Sequence, residues 1–218
     1  LWLQFACFVI SSYLMVELNN SNALIRIYSR MVSCSFIMMV CMSTFLLQSS
    51  KGMLLSICVV MSFVMAFLSY QDKYSMGRIF YSFMSIGIGS MIDVSVLFFV
   101  PVMWLAMFFH LQSMTLRTFI SSLFGLICPY WFVAVYLIYT NDITLAVEHF
   151  SQLAVFGKVA NFSQVPVSAL VSICYITILS VVGIIHYLRN RVFDKTRTRM
   201  FYNTFILFDI FTIAFIIL

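Results

Sequence analysis

Long stretches without a charged side chain constrain this chain more than any other feature of its sequence. Residues 118–140, for example, contain no Asp, Glu, Lys or Arg. Crossing a bilayer takes about 20 apolar residues in a helix, and lipid cannot satisfy an open backbone, so a spanning segment is helical. Charged residues make up 9% of the chain, against roughly a quarter in a soluble domain. The sequence predicts a multi-pass membrane protein and excludes a soluble enzyme, a nucleic-acid-binding domain and a disordered protein.

Apolar runs of spanning length predict one all-α integral membrane domain over residues 1–218, a transmembrane helix bundle of about eight segments. Both ends of the sequence lie inside apolar runs. We therefore expect the terminal segments to be truncated and further segments to flank them. The predicted segments are 1–16, 31–47, 52–70, 76–92, 94–111, 118–140, 167–188 and 200–218.

The stretch 76–111 is too long for one span. A single helix of its 36 residues would extend about 54 Å. Asp93 lies near its middle and follows the weak helix formers Gly87, Gly89 and Ser90. Two short helices that turn at Asp93 solve the length problem and place the Asp93 carboxylate in water.

Lys and Arg are distributed unequally between the loops of this eight-segment arrangement. Alternate loops on one side hold ten of the twelve basic residues, and those on the other side hold Lys51 and Lys158. If 76–111 were one span, about five basic residues would lie on one side of the membrane and seven on the other. Because basic residues concentrate in cytoplasmic loops, the arrangement predicts that the basic loops are cytoplasmic and that Leu1 lies towards the outside.

The loop 141–166 is longer than a turn requires. Asp142 can cap a helix at about 142–156 in which apolar residues recur at helical spacing. Such a helix would lie in the membrane interface, with Phe150 on its apolar face and His149 on its polar face.

Two polar features stand out from the apolar background. Asp209 lies about ten residues into the last segment, where a carboxylate is costly and is a candidate proton or cation site or the partner of a basic residue. It would instead lie in water if the last segment were two short ones, as at Asp93. The stretch 189–199 contains five basic residues beside one acid, Asp194. It is first a topology signal and second a site for anionic lipid headgroups. Its basic residues are Arg189, Arg191, Lys195, Arg197 and Arg199.

Prolines interrupt two neighbouring spans. Pro101 lies in 94–111 three residues before Trp104, and Pro129 lies in 118–140 two residues before Trp131. A proline inside a helix frees a carbonyl and kinks the helix. With the two tryptophans expected at similar depth, this region is either a kinked aromatic pocket for a lipid or lipid-linked substrate, or a packing solution for a helix pair.

No pattern of residues points to catalysis or metal binding. All six cysteines fall inside apolar segments and lack metal-ligand spacing. The chain contains no P-loop, no nucleophile elbow and no zinc-protease motif. We therefore expect no metal, no cofactor and no catalytic residue, and the balance favours a protein without enzymatic activity.

Three stretches of the sequence resemble a known family. They are LNNSNALIRIYSRM, DKYSMGRIFYSFMSIGIGSMIDVSVLFFVPVMWLAMF and LRTFISSLFGLICPYWF. The chain resembles, over roughly residues 15–140, uncharacterised multi-pass inner-membrane proteins of Bacteroides-type bacteria. The resemblance implies a bacterial inner membrane and nothing about chemistry, because that family has no known function.

Two functions fit these features. The first is a non-enzymatic component or partner subunit of bacterial envelope biogenesis, in contact with membrane lipids and with other membrane subunits. The second is a transporter or a lipid- or glycolipid-handling protein that uses the Pro101/Trp104/Pro129/Trp131 region. A groove at that depth would favour the second function, and tight packing would favour the first.

Overall fold

The computed structural model describes residues 2–22, 24, 30–42, 49–140, 149–151, 167–191 and 194–217. Every regular element in these ranges is helical, as the composition predicts. The predicted interfacial helix at 142–156 lies largely outside the described residues, within which His149, Phe150 and Ser151 are helical.

The described helices follow the predicted segments closely in the middle of the chain. Val94–Leu111 starts as a 3₁₀ helix, continues as an α-helix and ends in a π-helical turn, and we number it α5. The helices are α1 (Trp2–Asn22), α2 (Met31–Met42), α3 (Ser50–Leu68), α4 (Met76–Ile92), α5 (Val94–Leu111), α6 (Leu116–Thr140), α7 (Val167–Asn190) and α8 (Thr196–Ile217).

The helical hairpin predicted at Asp93 is confirmed. α4 ends at Ile92, and Asp93 adopts an extended conformation with φ −144° and ψ 114°. Its exposed carboxylate accepts a hydrogen bond of 3.0 Å from the backbone N–H of Ser95. The carboxylate therefore caps the first turn of α5, where an amide has no partner within the helix.

Two helices extend beyond the predicted segments. α1 continues from residue 16 to Asn22, whose side-chain amide donates to the carbonyl oxygen of Leu18. α8 begins at Thr196 and so includes Arg197 and Arg199, which the sequence analysis placed in a loop. The predictions were wrong there because they ended the first segment before Glu17 and began the last one after Arg199, whereas a helix can continue past the apolar region.

Within the described ranges, four helices are long and apolar enough to cross a membrane: Ser50–Leu68, Val94–Leu111, Leu116–Thr140 and Ala169–Asn190. The bundle of about eight segments stays a prediction. The helix Met31–Met42 is short over its described length, and the predicted remainder of that segment, 43–47, lies outside the described residues.

The chain divides into two compact units. One contains Leu1–Met53 and Val159–Leu218, and the other contains Leu54–Lys158. The first unit therefore holds α1, α2, α7 and α8. The second holds most of α3 together with α4, α5 and α6.

Close contact between α4 and α6 organises the second unit. The two helices run parallel, with Ser121 Oγ of α6 donating to the carbonyl oxygen of Met76 near one end of α4. A Cβ added at Gly125 would lie 2.4 Å from the carbonyl oxygen of Phe80, and one added at Gly87 would lie 3.0 Å from Pro129 Cγ. Only glycine lets the backbones approach this closely.

The other face of α4 packs against α3, which runs antiparallel to it. Ser82 Oγ of α4 donates a 2.9 Å hydrogen bond to the carbonyl oxygen of Ser62 in α3. Further along, a Cβ at Gly89 would lie 3.3 Å from Cys58 Cβ. Small residues on two faces of α4 therefore place this helix between α3 and α6.

The turns 69–75 and 112–115 meet at the same end of this unit. The backbone N–H of Gln71 donates to the carbonyl oxygen of Leu111 over 2.9 Å. Arg78 donates to the carbonyl oxygen of Leu68 over 2.6 Å and lies 3.5 Å from the Asp72 carboxylate. Two loops that the charge distribution assigns to one side of the membrane are therefore adjacent.

Replacement of Gly125 by Ala is expected to lower the midpoint of thermal unfolding in detergent and to cost about 1–3 kcal/mol. The added methyl group meets the Phe80 carbonyl, which belongs to the backbone and can move only with α4. Gly77→Ala is the control, because nothing lies within 4 Å of its added Cβ. Equal unfolding midpoints for the two variants would contradict the close packing of α4 and α6.

Candidate functional site

The junction of α7 and α8 gathers polar side chains in the first unit. Tyr187 lies one turn before the end of α7 and is 9% exposed, and Tyr202 lies in the second turn of α8. Their rings stack with centroids 5.0 Å apart and an interplanar angle of 30°. Such aromatic contacts stabilise a helix pair beyond the area they bury, so this stack fixes the two helices beside their connecting turn.

The Tyr187 hydroxyl connects α7 to α8 by hydrogen bonding. Its oxygen lies 3.2 Å from the carbonyl oxygen of Arg199 and 3.1 Å from Oδ1 of Asn203. A hydroxyl donates one proton at a time, so these two acceptors share it. Tyr202 donates a longer bond of 3.4 Å to the carbonyl oxygen of Leu24.

Two cavities flank Tyr187. The larger, of about 270 Å³, is lined by Leu24, Gly183, His186, Tyr187, Asn190, Asp194 and Tyr202. The smaller, of about 170 Å³, is lined by Tyr187, Arg191, Thr196, Arg199, Met200 and Asn203.

The two cavities differ in their lining. The larger one has Asp194 among its lining residues. The smaller one has Arg191 and Arg199 among its lining residues, but its wall is almost entirely apolar, so carbon atoms of the lining side chains form it. Among the described residues, Nε of Arg199 is buried without a hydrogen-bond partner, while a terminal guanidinium nitrogen of the same side chain lies 3.4 Å from the Thr196 hydroxyl.

The five basic residues predicted at 189–199 have different surroundings. Arg197 donates to the side-chain oxygen of Asn22 over 3.2 Å and lies over the Phe201 ring at 5.3 Å. Arg189 and Lys195 are exposed and are not part of either cavity wall. Arg191 and Arg199 are the two basic residues of this stretch among the lining residues of the smaller cavity.

Asp209 joins α8 to α7. The Ser180 hydroxyl donates a short hydrogen bond to Oδ2 of Asp209, and both residues are half-buried. This contact gives Asp209 an interhelical bond with a neutral donor, a role that the sequence analysis did not consider. A carboxylate held in this way has at least part of its desolvation offset.

The four residues of the predicted aromatic pocket lie in different surroundings. Trp104 donates to Ser122 Oγ over 3.1 Å, and Pro129 is buried against Gly87. Pro101 and Trp131 are exposed, the latter by 67%. Trp104 therefore lies level with Ser122, nine residues before Trp131 and about 13 Å from it along α6. The expectation that the two tryptophans share a depth was wrong, because α5 and α6 pair outward from their short connection at 112–115, which brings Trp104 opposite Ser122.

A separate cavity in the second unit lies near the end of α4. It measures about 300 Å³ and is lined by Met91, Tyr130, Val133, Ala134, Leu137, His149 and Phe150. The Tyr130 hydroxyl lies 2.6 Å from Ser90 Oγ, and His149 Nε2 lies 3.0 Å from the Ser90 carbonyl oxygen. The sequence analysis placed His149 on an outward polar face, and this contact corrects that placement.

Several residues of the α7–α8 site were missed by sequence reasoning. Tyr187, Tyr202 and Asn203 lie within or beside apolar runs and were counted as parts of the spans. A signal was present, because Tyr187 and Arg191 share one helix face at a spacing of four residues, as do Arg199 and Asn203. Which faces of α7 and α8 meet is a tertiary property that this spacing alone does not give.

Comparison with family models, with curated proteins and with solved structures finds no match for this chain. The argument for function therefore rests on the site itself.

Replacement of Ser180 by Ala is expected to lower the free energy of unfolding by about 1–3 kcal/mol. The substitution removes the donor to Asp209 and leaves a half-buried carboxylate without it. Ser35→Ala is the control, because the Ser35 hydroxyl bonds to carbonyl oxygens of its own helix. Thermal or denaturant unfolding in detergent measures both, and a loss no greater than that of the control would contradict the interhelical role of Ser180.

Proposed function

We propose that this chain is part of an integral membrane protein of the bacterial cytoplasmic membrane and acts as a non-enzymatic component or partner subunit in envelope biogenesis. The observation that carries the proposal is the use of polar side chains for helix packing. Ser82, Trp104 and Ser180 each donate a hydrogen bond to a neighbouring helix. Groups engaged in this way stabilise an assembly and are not free to react with a substrate.

Exposed helix surface supports the partner role. The last ten residues of α6, 131–140, are exposed except for the half-exposed Leu137. In α7, only 6% of the residues in its most apolar 18-residue stretch are buried within the chain. Such surfaces contact lipid or the helices of another subunit, and Tyr136, 65% exposed, adds an aromatic contact group of the kind enriched at interfaces.

A lipid- or glycolipid-handling function at the Pro101/Trp104/Pro129/Trp131 region has less support. Trp104 bonds to Ser122, and Pro129 fills the space beside Gly87. These two side chains are engaged in packing, whereas Pro101 and Trp131 are exposed. The packing interpretation of this region is therefore the better supported one.

Orientation in the membrane follows from the charge distribution and from the meeting of two loops. The turns 69–75 and 112–115 touch at one end of the second unit, and Asp93 lies at the opposite end of α4. We propose that the paired turns are cytoplasmic, as the basic residues of this side of the chain favour.

A photo-crosslinking amino acid at Tyr136 tests the partner role. We expect a stoichiometric crosslink to another membrane protein in intact cells, because this side chain is exposed on the unpacked half of α6. Tyr74, 78% exposed in a turn, is the control position and is expected to give no such product. Mass spectrometry identifies the crosslinked chain. Crosslinks to lipid alone at Tyr136 would overturn the partner subunit proposal.

Cysteine accessibility tests the proposed orientation. In a background without the native cysteines, Ser95→Cys is expected to react with a membrane-impermeant maleimide in spheroplasts. Tyr74→Cys is expected to react only after the membrane is opened, because α4 separates the two positions. Both residues are exposed, so burial does not explain a difference. Labelling of both from the same side would refute a crossing between them.

A further inference from the structure

We propose that the cavity near the end of α4, in the second unit, binds one acyl chain of a membrane lipid. Its volume of about 300 Å³ lies at the low end of the roughly 300–1,000 Å³ of small-molecule sites. It therefore suits part of a single chain better than a whole lipid with its headgroup. This inference goes beyond the proposed subunit function, since it assigns a ligand class to a site that the partner role does not use.

One stripe of α6 forms a wall of this cavity. Tyr130, Val133, Ala134 and Leu137 line it and recur at helical spacing, so they lie on one face of the helix. The wall is mainly apolar, and the described residues that line it include no Asp, Glu, Lys or Arg. Burial of apolar surface is favourable, whereas an ion without a counter-charge is costly to bury. The wall therefore favours hydrocarbon over an ionic ligand.

Two polar groups of the lining residues are already bonded within the chain. The Tyr130 hydroxyl lies 2.6 Å from Ser90 Oγ, and Nε2 of His149 lies 3.0 Å from the Ser90 carbonyl oxygen. An ordered water needs about two to four polar partners, so water is a poor occupant of this space. An empty cavity would deprive its wall of dispersion contacts. A chain of methylene groups supplies those contacts and requires no hydrogen bond.

The cavity lies on the part of α6 that the chain leaves uncovered. Of its lining residues, Val133 and Ala134 are exposed and Leu137 is half-exposed. Because α6 is long and apolar enough to cross a membrane, the medium at this surface is lipid. An acyl chain therefore reaches the cavity sideways and does not have to leave the hydrocarbon. Tyr136, the position proposed to contact a partner, is not among the lining residues, so α6 accommodates both.

His149 and Phe150 add a second segment to the cavity wall. The Phe150 and Tyr130 rings have centroids 5.5 Å apart and an interplanar angle of 33°. The contact of His149 with the Ser90 carbonyl oxygen holds the same segment against the last turn of α4, where carbonyl groups lack partners within the helix. A chain in the cavity contacts protein on two sides, so we expect it to exchange more slowly than the surrounding lipid.

Lipid retention by the full chain tests the site. The chain is assembled in nanodiscs of phosphatidylcholine that carries a diazirine in one acyl chain, extracted into detergent, washed free of loose lipid and then irradiated. Native mass spectrometry is expected to show one retained lipid per chain, and peptide mapping is expected to place the crosslink on Met91, Leu137 or Phe150. No retained lipid, or crosslinks spread over the exposed surfaces of α6 and α7, overturns the proposal.

Matched tryptophan variants separate the cavity from general contact with lipid. Ala134→Trp enlarges a residue of the cavity wall and is expected to abolish retention. Val135→Trp adds a ring at the next position, which is exposed and is not among the lining residues, and is expected to keep the lipid. Phe150→Ala removes a ring from the wall and is expected to lower the retained fraction even where Ala134→Trp impairs folding. Retention unchanged in both cavity variants, or lost equally in Val135→Trp, overturns the proposal.

A crosslink in intact cells distinguishes lipid from a partner side chain as the occupant. A diazirine-bearing amino acid in place of Leu137 is expected to capture lipid, because Leu137 lines the cavity. Capture of a second protein chain assigns the cavity to the subunit interface and overturns the lipid proposal. That outcome leaves the proposed function standing, since the partner role is tested at Tyr136, outside the lining residues.

Discussion

The requirement that every backbone group find a hydrogen-bond partner governs this chain. Lipid supplies none, so spanning segments are helical and the polar side chains between them must also be satisfied. The serine hydroxyls find hydrogen-bond acceptors in two ways. Ser11 and Ser85 donate to carbonyl oxygens of their own helices, whereas Ser82 and Ser121 donate to carbonyl oxygens of a neighbouring one. The second group adds direction to helix association, where apolar contact alone would distinguish poorly between protein and lipid.

Close backbone approach makes these interhelical bonds possible. A short hydroxyl side chain reaches a carbonyl on another helix only where the axes are near each other. Gly87 and Gly125 bring α4 and α6 to that distance, and Ser90 then meets the Tyr130 hydroxyl at 2.6 Å. Pro129 contributes to the same contact, because its ring fills the space beside Gly87. The proline is therefore part of the packing surface as well as an interruption of the helix.

Local features of the sequence were enough to predict the helical class and the division at Asp93. Length excluded one helix across 76–111, and an exposed carboxylate capping α5 confirms the turn. The ends of helices near charged residues were predicted less well. Arg197 lies inside α8 and donates a hydrogen bond to Asn22, which is far away in sequence. The polar site at the α7–α8 junction was harder still to predict. Tyr187 and Asn203 are separated by a turn, and nothing in their spacing specifies which faces of two apolar helices come together.

Two charged side chains of the first unit differ in how the chain satisfies them. Asp209 has a donor within the chain, Ser180, and so completes a bond between helices. Arg199 has a buried Nε that finds no hydrogen-bond partner among the described residues. Burial is therefore not what separates the two groups, since Asp209 is also half-buried. The difference lies in whether a neighbouring helix presents a donor or acceptor at the right place, as Ser180 of α7 does for Asp209 of α8.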